Sequence, residues 1–428
     1  MSLKLLADKL DKKVYRMLLF TVAIIPLQQD FTSLCVAVTF LYAFIASFGT
    51  GSKVQVFKGW QQGLLYLLLV IGVISLHFSA EKFQSAFNYL YVAGQYAALV
   101  FVLLHYGWHE PVPYRGKAVT LKEKFEQLPR PMQLLTAFLT VSVLVSVIGI
   151  FQKVFGITAE GIWVDPQQFP DIKTRVYSTL VNPNILGGYL VLVIAYAAAF
   201  FSVFKERRIR LMLVSCALLA AVCLLYTYSR GNWLACAGML GVFCLLFYHK
   251  AFLPVVAVGA AGLALGGSSV WHRLTSILSG QDTSMALRMA YFRSTKWIIE
   301  EFPQGVGWYG YQFVYPTYNY YLADTSVIMY HCHNIFLNIL AELGWHGLAV
   351  FLAVWGMFFY YAWKLAFNNK GLWTTAVGRG YVLATVGIAI GGLTDHVYFN
   401  TQMGLLFWLM GTLVMLTYKI DSYEVKSE

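Results

Sequence analysis

Residues 182–204, NPNILGGYLVLVIAYAAAFFSVF, run for 23 positions without a charged side chain. A helix rises about 1.5 Å per residue, so such a run covers the ~30 Å hydrocarbon layer of a bilayer while satisfying its own backbone hydrogen bonds. Charge-poor runs recur at 14–29, 31–50, 61–79, 84–106, 132–155, 211–228, 231–249, 251–270, 334–363, 380–398 and 401–418. The count is about twelve, and the expected fold is an all-α, polytopic integral membrane protein. Composition agrees: 59% of 428 residues are hydrophobic and 12% charged, more apolar surface than one water-facing core can hide. A single membrane domain, 1–428, is expected, with a large extracytoplasmic loop at 271–333 and a smaller excursion at 156–181.

Orientation follows from the basic residues. With the N-terminus cytoplasmic, 22 of the 31 Lys and Arg fall in inner segments and nine outside, although the longest loop is an outer one. The positive-inside rule then puts both termini in the cytoplasm. The formal charge of +11 is accounted for by lysines beside anionic headgroups, so no nucleic-acid partner is implied. The Lys-rich start leads into the first span without a small-residue cleavage motif, which reads as a retained anchor. Five of six cysteines lie inside expected spans and only Cys332 near the outer face, which excludes a disulfide framework. The loop 107–131 is bounded by prolines and reads as a solvated connector with a short helix at 120–128.

The outer segments hold the candidate chemistry. TSMALRMAYFRSTKWIIEEFP, 283–303, reads as an amphipathic helix ended at Pro303. Leu287, Ala290, Tyr291, Trp297, Ile298 and Phe302 fall on one face, and Arg293, Lys296 and Glu300 on the other. PQGVGWYGYQF, 303–313, is glycine-rich but follows no expected strand, so it matches neither a P-loop nor a dinucleotide fingerprint; a tight turn with interfacial aromatics is the simpler reading.

Arg175, Arg230 and Arg288 run against the charge bias of the outer side, and their planar forks suit phosphate. Arg230, in YSRGNW between two spans, sits at or just under the interface, where an ionised group is costly and usually functional. Arg175 precedes NPN at 182–184, which can cap the next helix and offer amides to an anion; for this arginine alone, solvation in a loop is an equal reading. His331 and His333 lie where HCHNIFLNILAELGWHG, 331–347, turns into a span. No HExxH or paired-cysteine spacing accompanies them, so no metal is expected. His333 instead suits a general base on a hydroxyl, with Asn334 and nearby arginines orienting it; His331 reads as an interfacial neighbour. Glu342, about two turns into the same span, is an acidic residue well inside a helix that either pairs with an arginine or solvates a cleft.

At these residues the sequence resembles the O-antigen ligase and polymerase superfamily. Its His-Asn, nine residues, Gly, two residues, Gly pattern runs from His333 through Gly344 to Gly347, and NPNILGGYL, YSRGNW and LRMAYFRSTKWIIEEFPQGVGWYGY precede it in order. The resemblance implies a metal-independent membrane glycosyltransferase with no cofactor, in the bacterial cytoplasmic membrane. Such an enzyme moves a glycan from undecaprenyl diphosphate to a glycolipid or glycan acceptor on the extracytoplasmic, periplasmic side, with inversion at the anomeric carbon. His333 would be catalytic, Arg230, Arg288 and Arg175 would bind the diphosphate, and Asn334, His331 and Glu342 would support them. The ligase type, acting on lipid A–core in lipopolysaccharide biosynthesis, fits best. Polymerisation of lipid-linked repeat units and attachment to another envelope acceptor are alternatives. A lipid-linked sugar flippase is the reading from another class, and it calls for inverted repeats and mid-membrane charges.

Overall fold

A computed structural model describes residues 3–50, 57–108, 121–157, 172–276, 283–321, 328–368 and 371–427. The described residues are helical throughout, with turns between helices and no strand. Among the described residues nine helices are long and apolar enough to cross a membrane; the pair His249–Leu265 and Gly267–Thr275, bent by 110°, makes a tenth if it is one span. Two of the twelve expected spans fall on helices outside that set. Leu3–Ile24 carries Lys9, Asp11, Lys12 and Lys13, and Leu372–Gly391 carries Arg379 midway. Both still pack into the bundle through buried faces, as with Val14, Leu18, Ala376 and Val377. The short helix expected at 120–128 is present as Leu121–Glu126.

The centre is built from Pro183–Val203, Leu372–Gly391 and Thr401–Ser427. The apolar stretches of the first and last are 78% and 83% buried, against 22% for Trp60–Phe78, whose flank faces lipid. Gly380 and Gly387 leave no space for a methyl group against Tyr196 and Val191. Small residues thus let backbones approach where lipid, being as apolar as leucine, gives no hydrophobic drive between helices. At one end Arg130 ties three helices together: it pairs with Asp11, donates to the Tyr106 carbonyl at 2.8 Å and lies over the Tyr15 ring.

Two departures from regular helix shape the other end. Ile335–Asn368 is interrupted at Gly344, which has φ 69° and ψ −176°, a region open essentially only to glycine. The break frees the carbonyls of Ala341 and Glu342, which accept from Val306 N–H at 2.8 Å and Gly307 N–H at 2.9 Å. The glycine-rich 303–310 turn is therefore a plug that satisfies a broken helix. On its other side, Trp308 N–H donates to Ser75 Oγ at 3.1 Å and its indole to Asn88 Oδ1 at 2.8 Å, fastening the turn to the early helices. The second departure corrects the reading of 380–398 as one span. The helix stops at Gly391, and 392–396 is a turn whose backbone groups are used elsewhere.

The amphipathic helix is present as Thr283–Glu301, but with a different buried face. Leu287 and Trp297 are exposed, whereas Ser294, Thr295 and Ile298 are fully buried. Thr295 Oγ1 lies 2.9 Å from Tyr311 OH, so this face packs on tyrosines of the following segment, where hydroxyls find partners. Lys296 and Glu300 form the expected exposed pair at 3.6 Å.

A Cβ at residue 344 would lie 2.6 Å from the Gln304 carbonyl and 2.8 Å from Pro303 O. Gly344→Ala should cost about 1–3 kcal/mol from backbone strain alone, read as a lower unfolding temperature in detergent. Gly356→Ala, where a Cβ meets nothing within 4 Å, should be neutral or slightly stabilising. Equal behaviour of the two variants would contradict a structural role for the break.

Candidate functional site

The turn after Gly391 assembles the site from four consecutive residues. Gly392 O accepts from Ile335 N–H at 2.8 Å, Leu393 O from Asn334 Nδ2 at 3.0 Å and Thr394 O from Arg288 Nε at 2.7 Å. Asp395 Oδ1 lies 3.2 Å from His333 Nδ1 and accepts from His396 N–H at 2.8 Å. His333 and Arg288, 45 positions apart in sequence, are thus referenced to one short piece of backbone.

Asn334 is the N-cap of the broken helix: its Oδ1 accepts from Phe336 and Leu337 N–H at 2.9 and 3.0 Å. His333, just before it, sits at φ 57°, a left-handed conformation that few residues other than glycine adopt, histidine more readily than most. Its ring stacks on Tyr291 with centroids 5.5 Å apart and meets His331 edge-on at 4.5 Å. His331 Nδ1 accepts from His333 N–H at 3.1 Å, so His331 shapes the turn that presents His333.

All three expected arginines gather here, with a fourth. Arg175 is buried, donating from Nε to Thr227 O at 2.7 Å and from Nη2 to Asn184 Oδ1 at 2.8 Å. Arg230 opens its helix and donates to Ser276 Oγ. The adjacent Gly231 packs so closely on Thr394 that a methyl group would collide with its hydroxyl. Arg273, absent from the sequence-based candidates, is 5% exposed and donates to Tyr228 O at 3.4 Å. Arg273 feels the charges of Arg175 and Arg288, and Arg230 those of Arg273 and Arg288. Arg175, in its loop, is pushed down to about 9 by burial first and then by Arg288 and Arg230, with Asp395 opposing; it remains protonated at neutral pH. Four guanidiniums held this close create a field that calls for a multiply charged anion.

The NPN segment caps its helix as expected, but Asn182 Oδ1 takes the amides of Asn184 and Ile185. They are engaged within the cap and are not offered to an anion.

Asp395 and His396 lay inside the stretch read as a span. Burial works against the Asp395 charge, yet the hydrogen bond from His333 and the nearby His333, His331 and Arg288 hold its carboxyl below the usual carboxylate range. His331 is held well below the usual histidine range by burial first and His333 second. His396 is pushed down to about 3, again mainly by burial. His396 is therefore neutral through pH 5–8, burial favours the neutral form of His331, and Asp395 is anionic.

His331, His333 and Asp395 bring potential metal-ligand atoms within 4.8 Å of one another, a grouping hidden from sequence spacing because Asp395 lies 62 residues on. Nδ1 of His333 is bound to Asp395 and Nδ1 of His331 to a backbone amide, so an ion there would be met by their Nε2 atoms. Glu342 does not pair with an arginine; its Oε1 is buried without a hydrogen-bond partner.

A cavity of about 510 Å³ opens beside His333. His331, Asp395 and Glu342 stand at its polar end, and Leu65, Val100, Phe351 and Trp408 line its apolar reach.

Residues 214–352 match the family model described as O-antigen ligase. Over that stretch the chain is similar to the O-antigen ligase family. The match takes in Arg230, Arg273, Arg288, His333 and Glu342, while Arg175, Asp395 and His396 lie outside it. No curated protein matches the chain. That similarity, in an apolar helical bundle, supports a membrane enzyme that transfers lipid-linked glycans.

Asp395→Asn keeps an oxygen for His396 N–H but removes the charge beside His333. Glycan transfer should fall by about 10²–10⁴-fold, the range of a positioned base and its orienting partner, with an unchanged elution profile in detergent. Wild-type rates in this variant would show that the 3.2 Å contact is incidental.

Proposed function

We propose that this protein transfers a glycan from undecaprenyl diphosphate to a sugar hydroxyl of lipid A–core, as an O-antigen ligase at the extracytoplasmic face of the bacterial cytoplasmic membrane. The observation that carries the reading is the placement of one histidine, oriented by a carboxylate, beside four clustered arginines.

His333 Nδ1–H is bound to Asp395, which leaves Nε2 as the basic nitrogen. Nε2 takes the proton from the acceptor hydroxyl as its oxygen forms the new bond to the anomeric carbon. The bond from that carbon to the diphosphate oxygen breaks, and the electron pair leaves with the diphosphate. Arg230 and Arg288, backed by Arg175 and Arg273, stabilise the charge that grows there. Attack from the side opposite the leaving group inverts the anomeric centre. No step draws on a metal, and a positive arginine field disfavours a cation between the histidines. Polymerisation of lipid-linked repeat units uses the same chemistry with another acceptor.

His333→Ala should abolish transfer from undecaprenyl diphosphate-linked glycan to lipid A–core in a purified system, with His331→Ala milder. Activity should persist in excess EDTA; loss restored by zinc or magnesium would move the histidines into a metal site. Near-wild-type rates in both histidine variants would remove the base from the mechanism.

The arginines give a separate test. Arg288→Lys and Arg230→Lys keep the charge but lose the bidentate fork, and each should be severely impaired at saturating donor. Arg293, exposed on the far side of the same helix as Arg288 and lying over Tyr321, should tolerate alanine. Full activity in both lysine variants would reduce the cluster's role to a diffuse field.

A further inference from the structure

Among the described residues that line the cavity beside His333 there is no arginine or lysine. Its polar end instead presents two carboxyl groups, Asp395 and Glu342. Asp395 is occupied by His333 and by the His396 amide. The Glu342 carboxyl is approached by the backbone amides of Tyr309 and Tyr311 and by Asn338, yet Oε1 stays buried with no hydrogen-bond partner. A buried acceptor atom without a donor costs about 1–3 kcal/mol, and an acidic group inside a spanning helix is costly in itself. That cost is recovered if a ligand brings an O–H or N–H to it. Aromatic rings flank the same end, with Tyr309 stacked on Phe399 at 5.9 Å and Phe399 close to His331 at 5.0 Å. Further in, the wall becomes apolar, from Phe351 to Trp408 and Val100. Leu69 and Tyr91, which also line it, are 40% and 38% exposed on the lipid-facing side of the bundle, so the cavity opens sideways.

These features do not suit the diphosphate. A group with two or more negative charges has four arginines elsewhere around His333, and in the cavity it would face two carboxyl groups and no cation. What fits is a neutral, hydroxyl-rich head on a hydrocarbon anchor. We infer that this cavity seats the glycan acceptor, a membrane glycolipid, and that Glu342 is a positioning residue whose Oε1 accepts a hydrogen bond from a non-reacting sugar hydroxyl, turning the reacting one toward His333. The inference rests on the proposed transfer reaction and adds the acceptor's location: donor and acceptor approach His333 from different sides, one along the arginines and one through the cavity.

The test compares binding and kinetics in purified, full-length protein. Glu342→Met removes the hydrogen-bonding carboxyl at similar length, and Ala97→Phe adds bulk at an exposed lining position of the cavity. Loss of one hydrogen bond corresponds to about a tenfold change in affinity. Both variants should weaken lipid A–core binding, and raise its KM, by about tenfold or more, with the Kd for undecaprenyl diphosphate within about twofold of wild type; Glu342→Met should also lower kcat, because the reacting hydroxyl loses its orientation, whereas Ala97→Phe should leave kcat within about twofold. Weaker undecaprenyl diphosphate binding in Ala97→Phe would make the cavity the donor chain's seat and overturn the inference, as would unchanged lipid A–core binding in both variants. Failure of the transfer reading itself looks different: wild-type protein would then bind these lipids without transferring glycan between them.

Discussion

The site depends on four successive residues at the end of one helix. Gly392, Leu393 and Thr394 give their carbonyls, and Asp395 its carboxylate, to Ile335, Asn334, Arg288 and His333. Had the helix continued, the carbonyls would have been spent on its own amides, and nothing would fix the histidine relative to the arginine. Ending it inside a bundle is tolerable because each freed group finds a partner in the protein. The same logic holds at Gly344, where the freed carbonyls accept from the Val306 and Gly307 amides. Two helix breaks, each repaired by another segment, frame the candidate site.

Charge is arranged with similar economy. Four arginines in a partly buried cluster repel one another, and their donors are largely turned onto carbonyls, hydroxyls and an amide oxygen such as Thr227 O, Ser276 Oγ and Asn184 Oδ1. Asp395 is the carboxylate that meets this group, through His333 on one side and the field of Arg288 on the other. An anionic leaving group entering the cluster would relieve the repulsion as its charge develops, which is the behaviour that separates transition-state stabilisation from mere binding.

Much of this was legible in the sequence, and the reasons are local. A helix that crosses a bilayer needs an unbroken apolar run, so the fold class follows from spacing and length. His333, Asn334, Arg230 and Arg288 stand beside recognisable helix starts or on an amphipathic segment, where a charged or capping side chain is conspicuous. Arg175 was ambiguous because a loop arginine has no periodicity to violate; only burial against Thr227 and Asn184 places it. Asp395 and His396 were absorbed into an apolar run read as continuous. The signal was present nonetheless, since an aspartate within a spanning stretch is expensive and usually functional. Arg273 follows a bend at Gly266 and Gly267 that hydropathy cannot see. The buried face of Thr283–Glu301 was misread because apolar periodicity assigns serine and threonine outward, whereas Thr295 turns inward to Tyr311.

The account's central claim is that the arginine cluster and His333 form one reaction centre for a diphosphate-linked donor. The most direct measurement is the structure of the protein in a lipid nanodisc with undecaprenyl diphosphate bound. The account predicts phosphate oxygens within hydrogen-bond distance, about 2.7–3.1 Å, of Arg230 and Arg288, with His333 Nε2 facing the terminal phosphate. A diphosphate bound away from these arginines, or a His333 ring turned from it with Asp395 released, would contradict the claim.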